Sequence, residues 1–306
     1  MQTDGKGNVT EAHYYDKTGE VNSITAKIFV IGAQATETAR LLLMSKNEDF
    51  TNGLANNQGL VGKNIVYSGG GIGSCVLKYA DFENDVAEEL SIPGLFVNRA
   101  SQEWYELEDE ETGAKIKGGT VDFLWEHANP ISKVMRAKWD GDILLHGSAL
   151  KTKIHKYFTK QRILKFEIFN DWLPNDNCFV ELSDSITDKW GDPVGKIWIG
   201  NHPQDEKVGK MIGSRTVKIM EEMGGSNVTW GVSSYPSVNL QAGGCRFGND
   251  PKTSVLDKNC KAHEVSNLYV TDGSFMPTGG SVTYTFTIYA NAFRVADKIK
   301  EQLAEN

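Results

Sequence analysis

The residues best suited to chemistry lie near the end of the chain. A glycine-rich turn, Gly243-Gly244-Cys245-Arg246-Phe247-Gly248, is followed by Asp250-Pro251 and then by Asn267-Leu268-Tyr269-Val270-Thr271-Asp272-Gly273-Ser274. Pro277-Thr278-Gly279-Gly280 and a Thr/Ala-rich helix complete the block. A short apolar strand ending in Asp-Gly-Ser, beside a Gly-rich stretch and a helix start, can bring bare backbone against a large flat cofactor. Glycine permits the close approach, and the first turn of a helix offers unpaired N–H groups to electron-rich oxygens.

The rest of the chain has to position that block. Its 306 residues can bury a substantial core in one or two domains, and 40% hydrophobic with 24% charged content is ordinary for a globular protein. A net charge of -8, with no basic run, argues against nucleic acid as a partner. The acidic stretch Glu103–Glu111 reads as a solvated loop. Cys75, Cys178, Cys245 and Cys260 are scattered without a C-x-x-C pair, which disfavours zinc or a disulfide framework and suits thiols in a reducing compartment. No stretch approaches the ~20 apolar residues of a membrane span, and the N-terminus has no signal-peptide pattern, so the expectation is a cytoplasmic protein without a metal. The opening Met1–Asn8 reads like a loop between two strands, as if the chain were the later part of something longer.

Periodicity supplies the elements. Val9–Tyr15 alternates as a strand, and Ile24–Ile31 reads as another whose apolar end suits a strand covered on both faces. Gly32-Ala33 breaks it before a helix over Thr36–Ser45, and Gly53–Gly62 is an irregular loop. Gly69–Ser74 resembles a phosphate loop but precedes a strand-like Cys75–Tyr79, whereas the phosphate fingerprint must open a helix; a bulged or closely packed strand fits better. The middle predicts strands at Thr120–His127, Arg162–Phe169, Cys178–Leu182 and Lys196–Gly200, with one helix near Asp142–Tyr157. Pro203–Met223 is amphipathic, its Val208, Met211, Ile212, Ile219, Met220 and Met223 forming a core-facing stripe. A last helix, about Thr283–Leu303, sets Ala290, Ala292 and Ala296 where a neighbour can come close.

With these residues in place, the chain resembles the C-terminal portion of a glucose–methanol–choline type FAD-dependent oxidoreductase, and within that family the bacterial sugar and polyol dehydrogenases and oxidases. Ala26–Leu43 matches the family's strand, turn and "T-x-R-L-L-L" helix, Gly53–Asn64 its "L-V-G" loop, and the C-terminal block the third segment. The resemblance implies a mixed α/β (α+β) fold: a partial FAD-binding α/β domain from residues 1–65 and 225–306, with its C-terminal block at 230–303, and an antiparallel-sheet substrate domain at 66–224 with helices on one face.

By position, Asp272 and Gly273 would face the ribityl and phosphate part of FAD, while Thr283 to Thr285 would lie near the pyrimidine end of the ring, where a positive helix N-terminus suits the charge that develops on reduction. The implied reaction is hydride transfer from the CH–OH group of a sugar or polyol to flavin N5. Two departures stand out. The G-x-G-x-x-G turn that holds the ADP half is not found before residue 26, so FAD binding would need that part from a second polypeptide. Leu240 occupies the position of the family's catalytic His, and the second polar position falls on Thr283 or Tyr284. Leucine accepts no proton, and the flanking Asn239 and Gln241 can hydrogen-bond a hydroxyl without useful basicity. Tyr284 could donate to a substrate oxygen or simply pack. Of His13, His127, His146, His155, His202 and His263, His127 is the candidate substitute base, with a structural histidine the competing reading. The alternative function is a non-catalytic or truncated subunit of the same kind.

Overall fold

The computed structural model describes residues 1–92, 97–125 and 129–305. They form a mixed α/β protein of antiparallel sheets and helices, divided into two compact units. The first comprises Met1–Ser68, Asp171–Asp205 and Ser234–Asn306; the second comprises Gly69–Asn170 and Glu206–Ser233. Among the described residues the α-helices are α1 (Ala35–Met44), α2 (Asn84–Ser91), α3 (Pro130–Ala137), α4 (Gly147–Thr159), α5 (Pro203–Glu222) and α6 (Thr285–Glu305).

In the first unit, the predicted strand Ile24–Ile31 is two strands, because its halves join different sheets. Val21–Thr25 pairs antiparallel with Val9–Tyr15, whereas Phe29–Ile31 pairs parallel with Leu268–Val270 in the register Phe29↔Leu268, Val30↔Tyr269, Ile31↔Val270. Leu268, Tyr269 and Val270 are buried, but Val30 is 51% exposed, so the expected cover on both faces is not found. A parallel pair of only two strands is unusual, since parallel sheets bury both faces under helices. Asn267 locks the start of this pair: its Oδ1 accepts from Val9 N at 2.8 Å, and its Nδ2 donates to the carbonyls of Val9 at 2.8 Å and Lys27 at 3.2 Å.

After the Gly32-Ala33 break, Gln34 caps α1 by accepting from Thr36 N, and the helix buries Ala35, Thr36, Thr38, Ala39 and Leu42. Lys63–Gly69 pairs antiparallel with Ser237–Gly244 and, through Lys63↔Phe179, with Phe179–Thr187, which in turn pairs with Pro193–Trp198. Leu42, Leu54, Ile65, Trp172, Leu256, Leu268 and Val295 share one core. The last helix sits differently from expectation. Ile288, Asn291, Val295 and Ile299 turn toward the core at helical spacing, while Ala290 and Ala296 are exposed. Phe286, Tyr289 and Phe293 stand 83%, 61% and 78% exposed on the other side.

The second unit is a five-stranded antiparallel sheet in the order Val97–Ser101, Gly119–Trp125, Gln161–Asp171, Gly71–Lys78, Ser226–Val232. Its core joins Cys75, Leu77, Val121, Leu164, Phe166 and Ile168 to Val208, Ile212 and Met220 of α5. Of the predicted α5 stripe, Ile219 and Met223 are instead exposed, because the buried arc runs through Thr216 and Met220. Gly69 ends one strand and Gly71 begins the next; a Cβ at the intervening Gly70 would lie 1.8 Å from the Ile168 carbonyl oxygen, so close packing accounts for that glycine run. The sequence predicts no element at α3, whereas the helix predicted near Asp142–Tyr157 is found as α4 (Gly147–Thr159), its first residues instead forming the second strand of a two-stranded hairpin (Trp139–Asp140 with Ile143–Leu144). The Asp140-Gly141-Asp142 turn, with Gly141 at φ +58, separates the two strands.

Candidate functional site

The strand Ser237–Gly244 ends where its backbone demands glycine. Gly243 has φ +74, and a Cβ there would lie 2.4 Å from the Asn64 carbonyl oxygen. Beyond it the chain is stitched onto the next segment: Cys245 N donates to Ser274 O at 2.9 Å, and Phe247 N to Phe275 O at 2.9 Å. Cys245 is fully buried, which raises its thiol pKa and makes it inert.

Asp272 caps the short 3-10 turn Gly273–Phe275. Its Oδ1 accepts from Ser274 N at 2.9 Å, and its Oδ2 accepts from the Thr38 hydroxyl of α1. The carboxylate therefore ties this turn to α1. Gly273 is the point where three segments meet: a Cβ on it would lie 3.2 Å from the Gln241 carbonyl oxygen, 3.2 Å from Ile288 Cδ1 of α6 and 3.6 Å from Ala242 Cβ. Gln241, Ala242, Gly273 and Ile288 of α6 are thus neighbours.

Burial sorts the residues before α6. Tyr284 is 3% exposed, whereas Thr283 on one side and Thr285 on the other are exposed. Burial, reinforced by the Asp171 carboxylate, holds the Tyr284 hydroxyl above its ordinary pKa. The inward residue is thus Tyr284, and Thr283 is the one that faces out.

Leu240 is partly buried and packs against the core. Gln241 Oε1 accepts from the Thr36 hydroxyl at 3.0 Å and from Gln34 Nε2. Gln34 itself sits at φ +75, a conformation rare for a side chain larger than glycine's. Asn239 lies on the same strand, and its side chain is outside what the structure describes. Sequence reasoning missed Gln34, Thr36 and Thr38; the available signal was a pair of threonines in the first turn of a helix that follows a strand–glycine turn, where polar groups gather around orphan N–H groups.

His13 pairs with Glu11 at 2.8 Å, His202 Nδ1 accepts from Gln204 N at 3.2 Å, and His263 meets the Ser254 hydroxyl at 3.0 Å. His146 and His155 are exposed residues of the α4 region. His127 lies outside the described residues. Among those described, no three His, Cys, Asp or Glu are gathered as a metal site would need, and no helix is long and apolar enough to cross a membrane.

Comparison with known proteins adds to this geometry. Residues 174–292 match the GMC oxidoreductase family. The fructose dehydrogenase large subunit of Gluconobacter japonicus is 28% identical across 100% of this chain and 53% of its own length. A 2-methyl-1,2-propanediol dehydrogenase of Mycolicibacterium austroafricanum is 29% identical across 98% of this chain and 52% of its own length. The chain thus spans about half the length of these relatives. Among solved structures, formate oxidase of Aspergillus oryzae RIB40, in a study of its FAD modification, superposes with a TM-score of 0.62 at 14% identity, covering 99% of this chain and 59% of that one. At that identity the likeness is one of fold.

Proposed function

Proceeding from the GMC oxidoreductase C-terminal domain that the chain carries over residues 174–292, we propose that it forms the flavin-ring and substrate portion of an FAD-dependent oxidoreductase acting on CH–OH groups of a sugar or polyol. The observation that carries this reading is the meeting of Gln241, Ala242, Gly273 and Ile288 at one point, beside a helix start that turns Thr283 and Thr285 outward. The relatives named for fructose and a diol support the substrate class.

The residues present fit the ring end of such a cofactor. Two exposed threonines at the start of a 21-residue helix can donate to carbonyl-type oxygens where the helix dipole favours negative charge. FAD, when bound, would supply the two-electron acceptor. Asp272 and Gly273 hold the adjoining turn in shape, and Thr283 is the residue able to hydrogen-bond a substrate oxygen. In this reading the first unit takes the cofactor and the second unit takes the sugar or polyol.

Two observations favour an incomplete or non-catalytic form. Leu240 provides no proton acceptor, and the Gln241 oxygen is engaged by Gln34 and Thr36. The parallel pair Phe29–Ile31/Leu268–Val270 leaves Val30 exposed, as a sheet awaiting further α/β cover would. A second α/β segment carrying a strand–G-x-G-x-x-G–helix unit would supply the ADP-binding part. The test is co-expression of this chain with such a segment, followed by gel filtration and a visible spectrum. Flavin absorbance travelling with the chain is the expected result; a colourless complex would refute FAD binding.

A further inference from the structure

We propose that the excursion α3–hairpin–α4 of the second unit is a docking face for an anionic lipid bilayer. The inference is independent of flavin binding. Residues 130–160 carry six lysines and Arg136 against Asp140 and Asp142, a net charge of +5 in a chain whose total is -8. The opposite sign is therefore concentrated in one short stretch.

The same stretch exposes large apolar side chains. Ile131, Met135 and Trp139 follow one another at four-residue spacing from α3 into the hairpin, and Trp139 lies opposite Leu144 across its two strands. All four are exposed, as is Ile143, with Ile131 at 78% and Ile143 at 67%. The hairpin is held rather than loose: Leu145 N donates to Lys138 O at 2.7 Å, and Lys153 Nζ of α4 donates to Trp139 O at 2.7 Å. Exposed apolar residues and basic residues thus share one excursion whose hairpin is tied to α4.

The composition selects the occupant. Cores of protein–protein interfaces are depleted in lysine and enriched in Tyr and Arg. Here the cations are almost all lysine, whose long stems let the ammonium reach lipid headgroups while aliphatic residues and a tryptophan enter the acyl boundary. Each lysine near an anionic leaflet adds attraction that salt weakens.

The 306-residue protein, sedimented with phosphatidylcholine vesicles with and without phosphatidylserine, tests this. Binding to the phosphatidylserine vesicles alone, weakened by salt, is expected. Lys151→Glu/Lys156→Glu, which alters only exposed positions of α4, should lower the partition about tenfold or more, and Ile131→Ser/Ile143→Ser/Leu144→Ser should do the same. Circular dichroism checks each variant's fold; if the serine variant fails to fold, the charge reversal decides alone. Absence of binding, equal binding to neutral vesicles, or an unchanged partition for the charge reversal overturns the proposal. Capture by polyglutamate without vesicle binding would indicate an acidic protein partner and also overturn it.

Discussion

Asn267 satisfies both main-chain groups of Val9 from 258 residues away, accepting from its N–H and donating to its carbonyl, each at 2.8 Å. Asn267→Ala leaves those buried groups and the Lys27 carbonyl without this partner. It should cost about 3 kcal/mol of stability, read as a lower urea midpoint. An unaltered midpoint would show that the clamp contributes nothing.

Gly243→Ala should destabilise the chain by about 2 kcal/mol or more, since the substitution adds a Cβ at φ +74 and drives it into the Asn64 carbonyl. Chemical unfolding of the purified variant measures this. A shift smaller than about 0.5 kcal/mol would mean that the turn relaxes freely.

Acid stability should depend on Asp109. Its hydrogen bond to the Lys207 ammonium, 2.8 Å away, leads the causes that hold its carboxyl down to about 2. The folded value is below the unfolded one of about 3.9, so the stabilisation is complete above that pH and fades as pH falls toward about 2. Asp109→Asn should therefore lower Tm at pH 6, with the gap from wild type closing between about pH 4 and 2. A gap independent of pH would refute the pairing.

In a flavin-loaded, complemented protein, Leu240→His should raise dye-linked sugar oxidation by about 100-fold, the lower range for a positioned base. An unchanged rate would place the catalytic position elsewhere. Thr283→Ala in that background should raise KM or lower kcat, whereas Thr285→Ala should act on flavin retention instead.

The exposed side of α6 gives a separate forecast. Phe286→Ser/Phe293→Ser should change the stability of the 306-residue chain by no more than about 0.5 kcal/mol, because both rings are already in water. A larger loss would show that the two rings pack in the folded chain.

Much of this was legible from residue order, and the failures share a cause. Val9–Tyr15 is found at its predicted bounds, α5 ends one residue before its predicted limit, and α1 ends close to expectation, because local alternation and helical spacing govern them. The strand Ile24–Ile31 splits because its partners, Val9–Tyr15 and Leu268–Val270, are remote in sequence and no local pattern reports them. The helix predicted from about Asp142 begins only at Gly147, because the Asp140-Gly141-Asp142 turn opens a hairpin whose second strand, Ile143–Leu144, takes the intervening residues. At the site, the Gly-rich turn and Asp272 were readable as types. That Asp272 would turn to Thr38, or that Tyr284 rather than Thr283 would face inward, depends on tertiary contacts.

The parallel pair Phe29–Ile31/Leu268–Val270 also sets a timetable for synthesis. Its first strand leaves the ribosome while its partner is still untranslated, and the first unit gathers three separated stretches of chain. The antiparallel sheet of the second unit closes mostly over residues 69–170 and can form earlier. Until residue 270 emerges, Phe29–Ile31 waits without its partner strand, so the nascent chain is most prone to aggregation in that interval, and slowing translation of the C-terminal block would lengthen it.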